Sequence, residues 1–344
     1  MTMMKTALRT VAAAAMLAGM SATAYAQEVT LKLHQFLPAQ ANVPKLVLDV
    51  WADKVEADSN GRIKVDRFPS MQLGGTPPEL VSQMIDGVVD IIWTVAGSTP
   101  GRFPQTEVFE LPFIMTNAEA TSRAYWEFAE ANMFDGEFKD FKPLGLWVHG
   151  PGLIHSKNPI TSVADLGGVK LRAPTRTTTR LFTELGATPI GMPVPAVPES
   201  LSKGVIDAAV VPWEVTPSLR LSELVSNHTT FGDDALYTTA FIFGMNQNRY
   251  NSLPDDLKAV IDANSGMEFS AFAGRVMAES DAPAKLIAEE RGNNIITLSP
   301  EEVAAWKEAV GPVEAAWVED LTKAGYDGQA VLDQAKALIA KHTE

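Results

Sequence analysis

Apolar and polar residues alternate from Val29 to Phe36 and again from Arg62 to Phe68, the period-two signature of strands with one buried face. Between them, Val43 to Ala57 carries apolar residues at helical spacing and stops near Asn60-Gly61. Pro77 to Asp86, opened by Thr76-Pro77, predicts a short helix, and the apolar run Val88 to Thr94 a buried strand. A helix over Ala118 to Asn132 and a strand over Pro143 to Val148 follow. The order then repeats from Val169: a strand, a helix over Thr178 to Leu185, a strand, a helix over Pro198 to Lys203 and a strand over Ile206 to Val211. Strands alternating with helices predict α/β domains built on parallel sheets. The last hundred residues predict mostly helix. Ser299-Pro300-Glu301-Glu302 reads as a helix start, with Ser299 as N-cap, Pro300 at the first position and Glu302 closing a capping box. Repeats, low-complexity tracts and a flexible Gly/Ser linker between the two α/β halves are all missing, which predicts a hinged pair of lobes with a cleft between them.

The amino terminus adds an address. Lys5 and Arg9 make a positive segment, Val11 to Met20 a short apolar one, and Ala24-Tyr25-Ala26 a small-residue cleavage site. Residues 1–26 are therefore expected to be a secretory signal peptide, cut before Gln27. The apolar part is only about ten residues long, against about 20 for a bilayer span. No later stretch is apolar enough for a membrane helix, so the expected mature chain works in the periplasm without inserting into the membrane. The 344 residues leave room for two domains after this leader is removed.

Composition then excludes whole classes. With no cysteine, the chain has no disulfide, thiolate nucleophile or Cys-ligated metal. Its formal charge is −14, and excising Lys5 and Arg9 with the leader deepens it. Nucleic acids and anionic membrane surfaces need clustered cations, so neither is an expected partner. An anionic ligand would need a local cation acting against the overall field. G-x-S-x-G, H-E-x-x-H, Walker and G-x-G-x-x-G motifs are missing, and no cofactor is implied. The five histidines show no metal-ligand spacing; His149 and His155 flank the bend Gly150-Pro151-Gly152. Asp233-Asp234 and Asp255-Asp256 read as a turn and a solvated helix start. The expectation is a protein that binds rather than catalyses.

The run Asp165 to Pro174, Asp-Leu-Gly-Gly-Val-Lys-Leu-Arg-Ala-Pro, resembles the signature strand of the solute-binding proteins of tripartite ATP-independent periplasmic (TRAP) transporters. Glu-Leu-Gly-Ala-Thr-Pro-Ile-Gly-Met-Pro at 184–193 and Gly-Val-Ile-Asp-Ala-Ala-Val-Val-Pro-Trp-Glu at 204–214 follow in that family's order. Ser-Met-Gln-Leu-Gly-Gly at 70–75, Phe-Glu-Leu-Pro-Phe at 109–113, and Met-Asn with Ser-Leu-Pro within 245–254 extend the resemblance over essentially the whole mature chain. It implies two α/β lobes, 27–149 with 238–277 and 150–237 with 278–344. It also implies a long helix running across both, a ligand enclosed at the hinge and a membrane permease as partner.

From alternation alone, Arg172 shares the polar face of its strand with Lys170, as a surface salt-bridge residue would. The resemblance instead assigns it the ion pair with a substrate carboxylate, for which a guanidinium offers two parallel donors. Arg176 and Arg180 lie at or inside the following helix, and Arg176 is the stronger candidate of the two for ligand contact.

Many relatives carry Asp-Gly-x-x-Asn-Pro where this chain has Asp207-Ala208-Ala209-Val210-Val211-Pro212, and Val211 lacks that asparagine's hydrogen bonds. Trp213 and Glu214 follow directly, and Trp93 ends a buried strand in the first half, where α/β sheets place ligands. Each tryptophan reads equally well as plain core. Taken together, lost polarity and added aromatic surface point to an aromatic monocarboxylate such as benzoate or a hydroxybenzoate. His34, Gln35 and Phe36 at the end of the first strand, and His149 and His155 near the lobe crossing, complete the candidates. A C4-dicarboxylate, 2-oxo acid or ectoine-like ligand is the nearest rival reading; a secreted α/β hydrolase or lyase is a distant one.

Overall fold

Residues 27–343 are described by the structure, a computed structural model; the leader read over residues 1–26 lies outside them. In chain order the strands are β1 (Val29–His34), β2 (Ile63–Phe68), β3 (Ile91–Val95), β4 (Phe141–Val148), β5 (Leu153–Ser156) and β6 (Lys170–Ala173). β7 (Thr188–Gly191), β8 (Ala208–Val211), β9 (Asn227–Thr230), β10 (Ala240–Asn246) and β11 (Asn294–Thr297) follow. They form two sheets, ordered β2-β1-β3-β10-β4 and β11-β9-β5-β8-β6-β7. Each is the centre of one helix-covered lobe.

The alternation in β1 and β2 has its expected consequence. Val29, Leu31 and Leu33 point into the first core while Lys32 stays out, and Leu31 pairs with Val65 across the parallel ladder. Each such leucine or valine contributes about 1.5–3 kcal/mol by leaving water. β3 starts at Ile91 rather than Val88, because Gly87 turns the chain at φ +74° and the Val88 N–H bonds back to Gln83. Val88 is left exposed.

The sheets are mixed rather than purely parallel. β10 runs antiparallel to β3 and β4, and β5 antiparallel to β8 and β9, while the remaining pairs are parallel. Both reversed strands enter their sheet directly after the chain has crossed from the other lobe, so no helical crossover precedes them. The four-residue strands β5, β9 and β11 are too short to show a period. β10 is buried throughout and has no alternation to read.

The chain passes between lobes at 149–152, at 231–239 and at Ser280, which lie together, and again at 324–327 before the last helix. The Gly152 N–H donates to Tyr237 O at 2.9 Å, and the Thr238 hydroxyl donates to His149 O at 2.8 Å. A Cβ on Gly152 would sit 2.1 Å from the Tyr237 ring, and one on Gly150 2.2 Å from Asp281 Oδ2, so only glycine permits this approach. The long helix expected across both lobes occurs as two consecutive pieces, Met267–Glu279 and Asp281–Glu290. Pro283 accounts for the break: it lacks the N–H that would bond Glu279 O, and its ring crowds that carbonyl. The first piece packs on the helix Ala118–Asn132 and the second on the turn Trp213–Val215.

Ser299 caps the helix Pro300–Ala309, accepting from the Glu302 N–H at 3.2 Å. The helix Gly311–Lys323 packs on Arg176–Glu184, where Asp320 pairs with Arg180. The final helix, Gly328–Thr343, departs from the expectation that all of 278–344 joins the second lobe. It packs on Ala118–Asn132, where Lys341 and His342 both reach Glu127 at 2.7 Å.

Candidate functional site

The carboxyl ends of β1 and β3 in the first lobe face those of β6 and β8 in the second. Such crevices are where α/β sheets bind ligands. A cleft of about 400 Å³ opens between them, lined among others by Phe36, Val95, Arg172, Pro174 and Val194. These same five residues border an adjoining recess of about 50 Å³. Trp93, Val211 and Phe241 extend its apolar walls; His149, Glu214, Tyr237 and Thr239 supply its polar groups.

Arg172 is the centre of this arrangement. β6 lies between β7 and β8, which puts Arg172 beside Ile190 and Ala209 and buries its side chain. Its Nε donates to Met192 O at 3.0 Å and its Nη1 to Val210 O at 2.9 Å. These two bonds fix the guanidinium plane and leave further N–H donors of the group's five free. Among the described residues no carboxylate comes within 4 Å of it. Burial lowers its pKa to about 10, so it remains a cation at neutral pH.

The neighbouring groups are neutral. Burial lowers the His149 pKa to about 4, with the Arg172 charge acting in the same direction. His149 Nδ1 faces Gly150 O at 2.5 Å, which assigns the proton to Nδ1 and leaves Nε2 as an acceptor. Tyr237 is raised by burial and stays a phenol. Phe36 stacks on Trp93 at 4.6 Å and 18°, forming a flat apolar wall in the first lobe. Glu214 is held at its backbone: its N–H donates to Asp281 Oδ1 at 2.8 Å, and its carbonyl accepts from Asn42 Nδ2 at 2.8 Å. Burial raises Glu214 to about 8 and Asp281 to about 7, and each therefore holds its proton well above the ordinary carboxyl range.

Arg172, Trp93, Phe36, Val211, Glu214 and His149 thus come together around the recess. The other candidates lie elsewhere. Trp213 packs against His155 and His228 at 5.1 and 4.9 Å, in a small cluster with Leu153, Ala284 and Ala288. The turn after Pro212 swings its indole onto the helix Asp281–Glu290, away from the cleft. His155 is occupied by His228 Nδ1 at 2.7 Å and Val211 O at 3.1 Å. His34 is held by Gln83 Oε1 at 3.0 Å and the Leu73 N–H at 3.3 Å, and Gln35 bonds the Leu37 backbone. Arg176 reaches the rim of the cleft, but its guanidinium is committed to Glu107, with Nε and Nη2 at 3.1 and 2.8 Å from the two oxygens.

That last pair belongs to a second feature missed from the sequence. The 3₁₀ turn Pro104–Glu110 of the first lobe carries Glu107 and Glu110 to the second. Glu110 accepts from the Thr175 hydroxyl at 2.7 Å and the Ala240 N–H at 3.0 Å, while burial raises its pKa to about 8. Gly97 approaches so closely that its Cβ would meet Thr175 Cγ2 at 2.6 Å. Glu110 sits inside the Phe-Glu-Leu-Pro-Phe motif, which marked it for attention without giving a role. Tyr237, Thr239 and Asp281 carried no periodicity or motif at all.

Two α/β lobes hinged at adjacent chain passages, with a buried cation between them that no carboxylate of the described residues pairs, define a solute-binding protein. The chain belongs to the bacterial extracellular solute-binding proteins of family 7 (DctP), whose sequence model matches residues 35–320; these serve TRAP transporters. It is 50% identical to a TRAP solute binding protein from Rhodoferax ferrireducens T118, solved with copurified benzoate, with a TM-score of 0.90 over 91% of this chain and 98% of that one. A marine metagenome TRAP solute binding protein specific for aromatic acid ligands, solved with 3-hydroxybenzoate, is 48% identical. It matches with a TM-score of 0.91 over 93% of this chain and 100% of that one. Among curated proteins, the outer membrane transporter protein TsaT of Comamonas testosteroni is 27% identical over 96% of this chain and 98% of its own. The family is extracellular, and no helix of the described residues is long and apolar enough to cross a membrane.

Proposed function

We propose that this TRAP solute-binding protein captures an aromatic monocarboxylate, benzoate or a hydroxybenzoate, between its lobes in the periplasm and hands it to a membrane permease. The observation that carries the reading is Arg172. Among the described residues lining the cleft it is the cation without an acidic partner, and its free donors suit one carboxylate. The stacked pair Phe36 and Trp93 on one side, with Val194, Pro174 and Val211 on the other, supports a flat apolar body. The second carboxylate of succinate or malate would meet that apolar surface desolvated and without a cation. Both solved relatives near 50% identity hold aromatic acids, which supports the same class.

A melting-temperature panel tests it. Benzoate and 3-hydroxybenzoate are expected to stabilise the protein more than succinate, malate or ectoine at equal concentration. If succinate or malate gives the larger rise, the aromatic reading is wrong.

A further inference from the structure

We propose that Glu214 selects ligands bearing a ring hydroxyl meta or para to the carboxylate bound by Arg172. This inference rests on the aromatic-acid reading above and assigns a residue to one substituent of that ligand.

Glu214 lies in the turn directly after β8 and borders the recess together with Arg172, Trp93 and Tyr237. Its backbone is fixed on both sides, by Asp281 at the N–H and by Asn42 at the carbonyl, so the side chain has little freedom to retreat. Yet its Oε2 is buried with no hydrogen-bond partner among the described residues, and the residue is only 3% exposed. A buried carboxyl oxygen without a donor is costly and uncommon, and here it belongs to a residue that borders the recess. Arg172 does not relieve it, because the guanidinium is turned to Met192 O and Val210 O. Of the surrounding walls, Phe36, Val211 and Phe241 have no side-chain donor, and Trp93 Nε1, itself buried without a partner among the described residues, and the Tyr237 and Thr239 hydroxyls make no bond to Glu214 Oε2.

A phenolic O–H supplies what is missing. It donates to one carboxyl oxygen of Glu214, and the protonated carboxyl has its own O–H to return. Burial and the neighbouring Asp281 keep Glu214 protonated to about pH 8, and a ligand carboxylate arriving on Arg172 acts in the same direction. Asp281 is a positioning residue, holding the Glu214 backbone without facing the ligand itself. An ortho hydroxyl bonds its own carboxylate and cannot reach Glu214. A methoxy group has no proton to give.

Calorimetry on the full chain tests the assignment with benzoate, 2-, 3- and 4-hydroxybenzoate and 3-methoxybenzoate. The wild type is expected to bind the 3- or the 4-hydroxy acid about tenfold tighter than benzoate, the worth of one buried hydrogen bond. The 2-hydroxy and methoxy acids should show no such gain. In Glu214→Met and in Glu214→Asp, which keeps the acid but withdraws it by one methylene, the preference should fall to near unity. Glu214→Asp serves where Glu214→Met does not fold. A preference that survives in a folded variant, or a wild type that binds benzoate and all hydroxybenzoates alike, overturns the role of Glu214 and leaves the aromatic reading standing. A wild type that binds none of these acids overturns both.

Discussion

Replacing Arg172 by methionine keeps most of the side-chain volume and removes the charge, and the structure sets the size of each effect. In the ligand-free protein, the fall of the Arg172 pKa from 12.5 to about 10 corresponds to a penalty of about 3 kcal/mol for holding a buried cation. Arg172→Met removes that penalty but strands the carbonyls of Met192 and Val210, at about 1–3 kcal/mol each. The two effects nearly offset, so the ligand-free melting temperature should move by only a few degrees. Binding has no such compensation. A carboxylate entering the variant's recess meets no cation, which costs about 2–5 kcal/mol. At about 1.4 kcal/mol per tenfold, benzoate affinity should fall by about thirty- to several-thousandfold. Calorimetry with benzoate, alongside melts with and without ligand, separates the two effects. Arg172→Lys should recover only part of the affinity, since a point charge cannot hold both carbonyls and also meet a carboxylate in bidentate fashion. A folded Arg172→Met protein that binds benzoate within about threefold of wild type would show that the carboxylate sits elsewhere.

Two further outcomes follow from the geometry. Trp213→Phe should lower stability by about 1–3 kcal/mol through its packing on His155 and His228, yet leave benzoate affinity within about twofold; a large loss of affinity would return Trp213 to the cleft. Between about pH 6.5 and 8 the ligand-free protein should lose stability as pH rises, because Glu110 and Glu214, at about 8 when folded, keep protons there that the unfolded chain has released. The buried histidines oppose this trend only below about pH 6.5, the value at which an unfolded histidine gives up its proton. Glu110→Gln should flatten the slope by up to about 1.4 kcal/mol per pH unit in melts across that window, and an unchanged slope refutes the assignment.

Much of the first lobe was legible because its outer strands are half-buried. Val29 to His34 and Ile63 to Phe68 show one apolar face each, and period two survives in the sequence. β10 is buried on both faces, so its residues carry no contrast, and β5, β9 and β11 are shorter than any period that could be read. Arg172 was legible only through the Lys-Leu-Arg-Ala-Pro strand, since its alternation with Leu171 places it beside Lys170 on a polar face. Lys170 at the start of the strand is exposed while Arg172 at its cleft end is buried and bonded to the Met192 and Val210 carbonyls, which is a tertiary fact. The two tryptophans illustrate the same limit. Trp93 and Trp213 both follow buried strand residues, and only the turn after Pro212 separates a cleft wall from a packing residue. Glu107 and Arg176 lie 69 positions apart and meet only because the lobes face each other.

The glycines at 150 and 152 have a mechanical consequence. The passage 149–152 lies sandwiched, with Tyr237 against one glycine and Asp281 against the other. Three strips of chain laid side by side behave like the knuckles of a door hinge: they yield to rotation about one line and resist shear and twist. Tyr237 and His149 belong to these strips and also line the recess, so a rotation about the strips would displace them least. Residues on an axis barely move as the leaves swing. The side of the recess that they form would then keep its shape while the lobes part, and only the far wall would have to arrive.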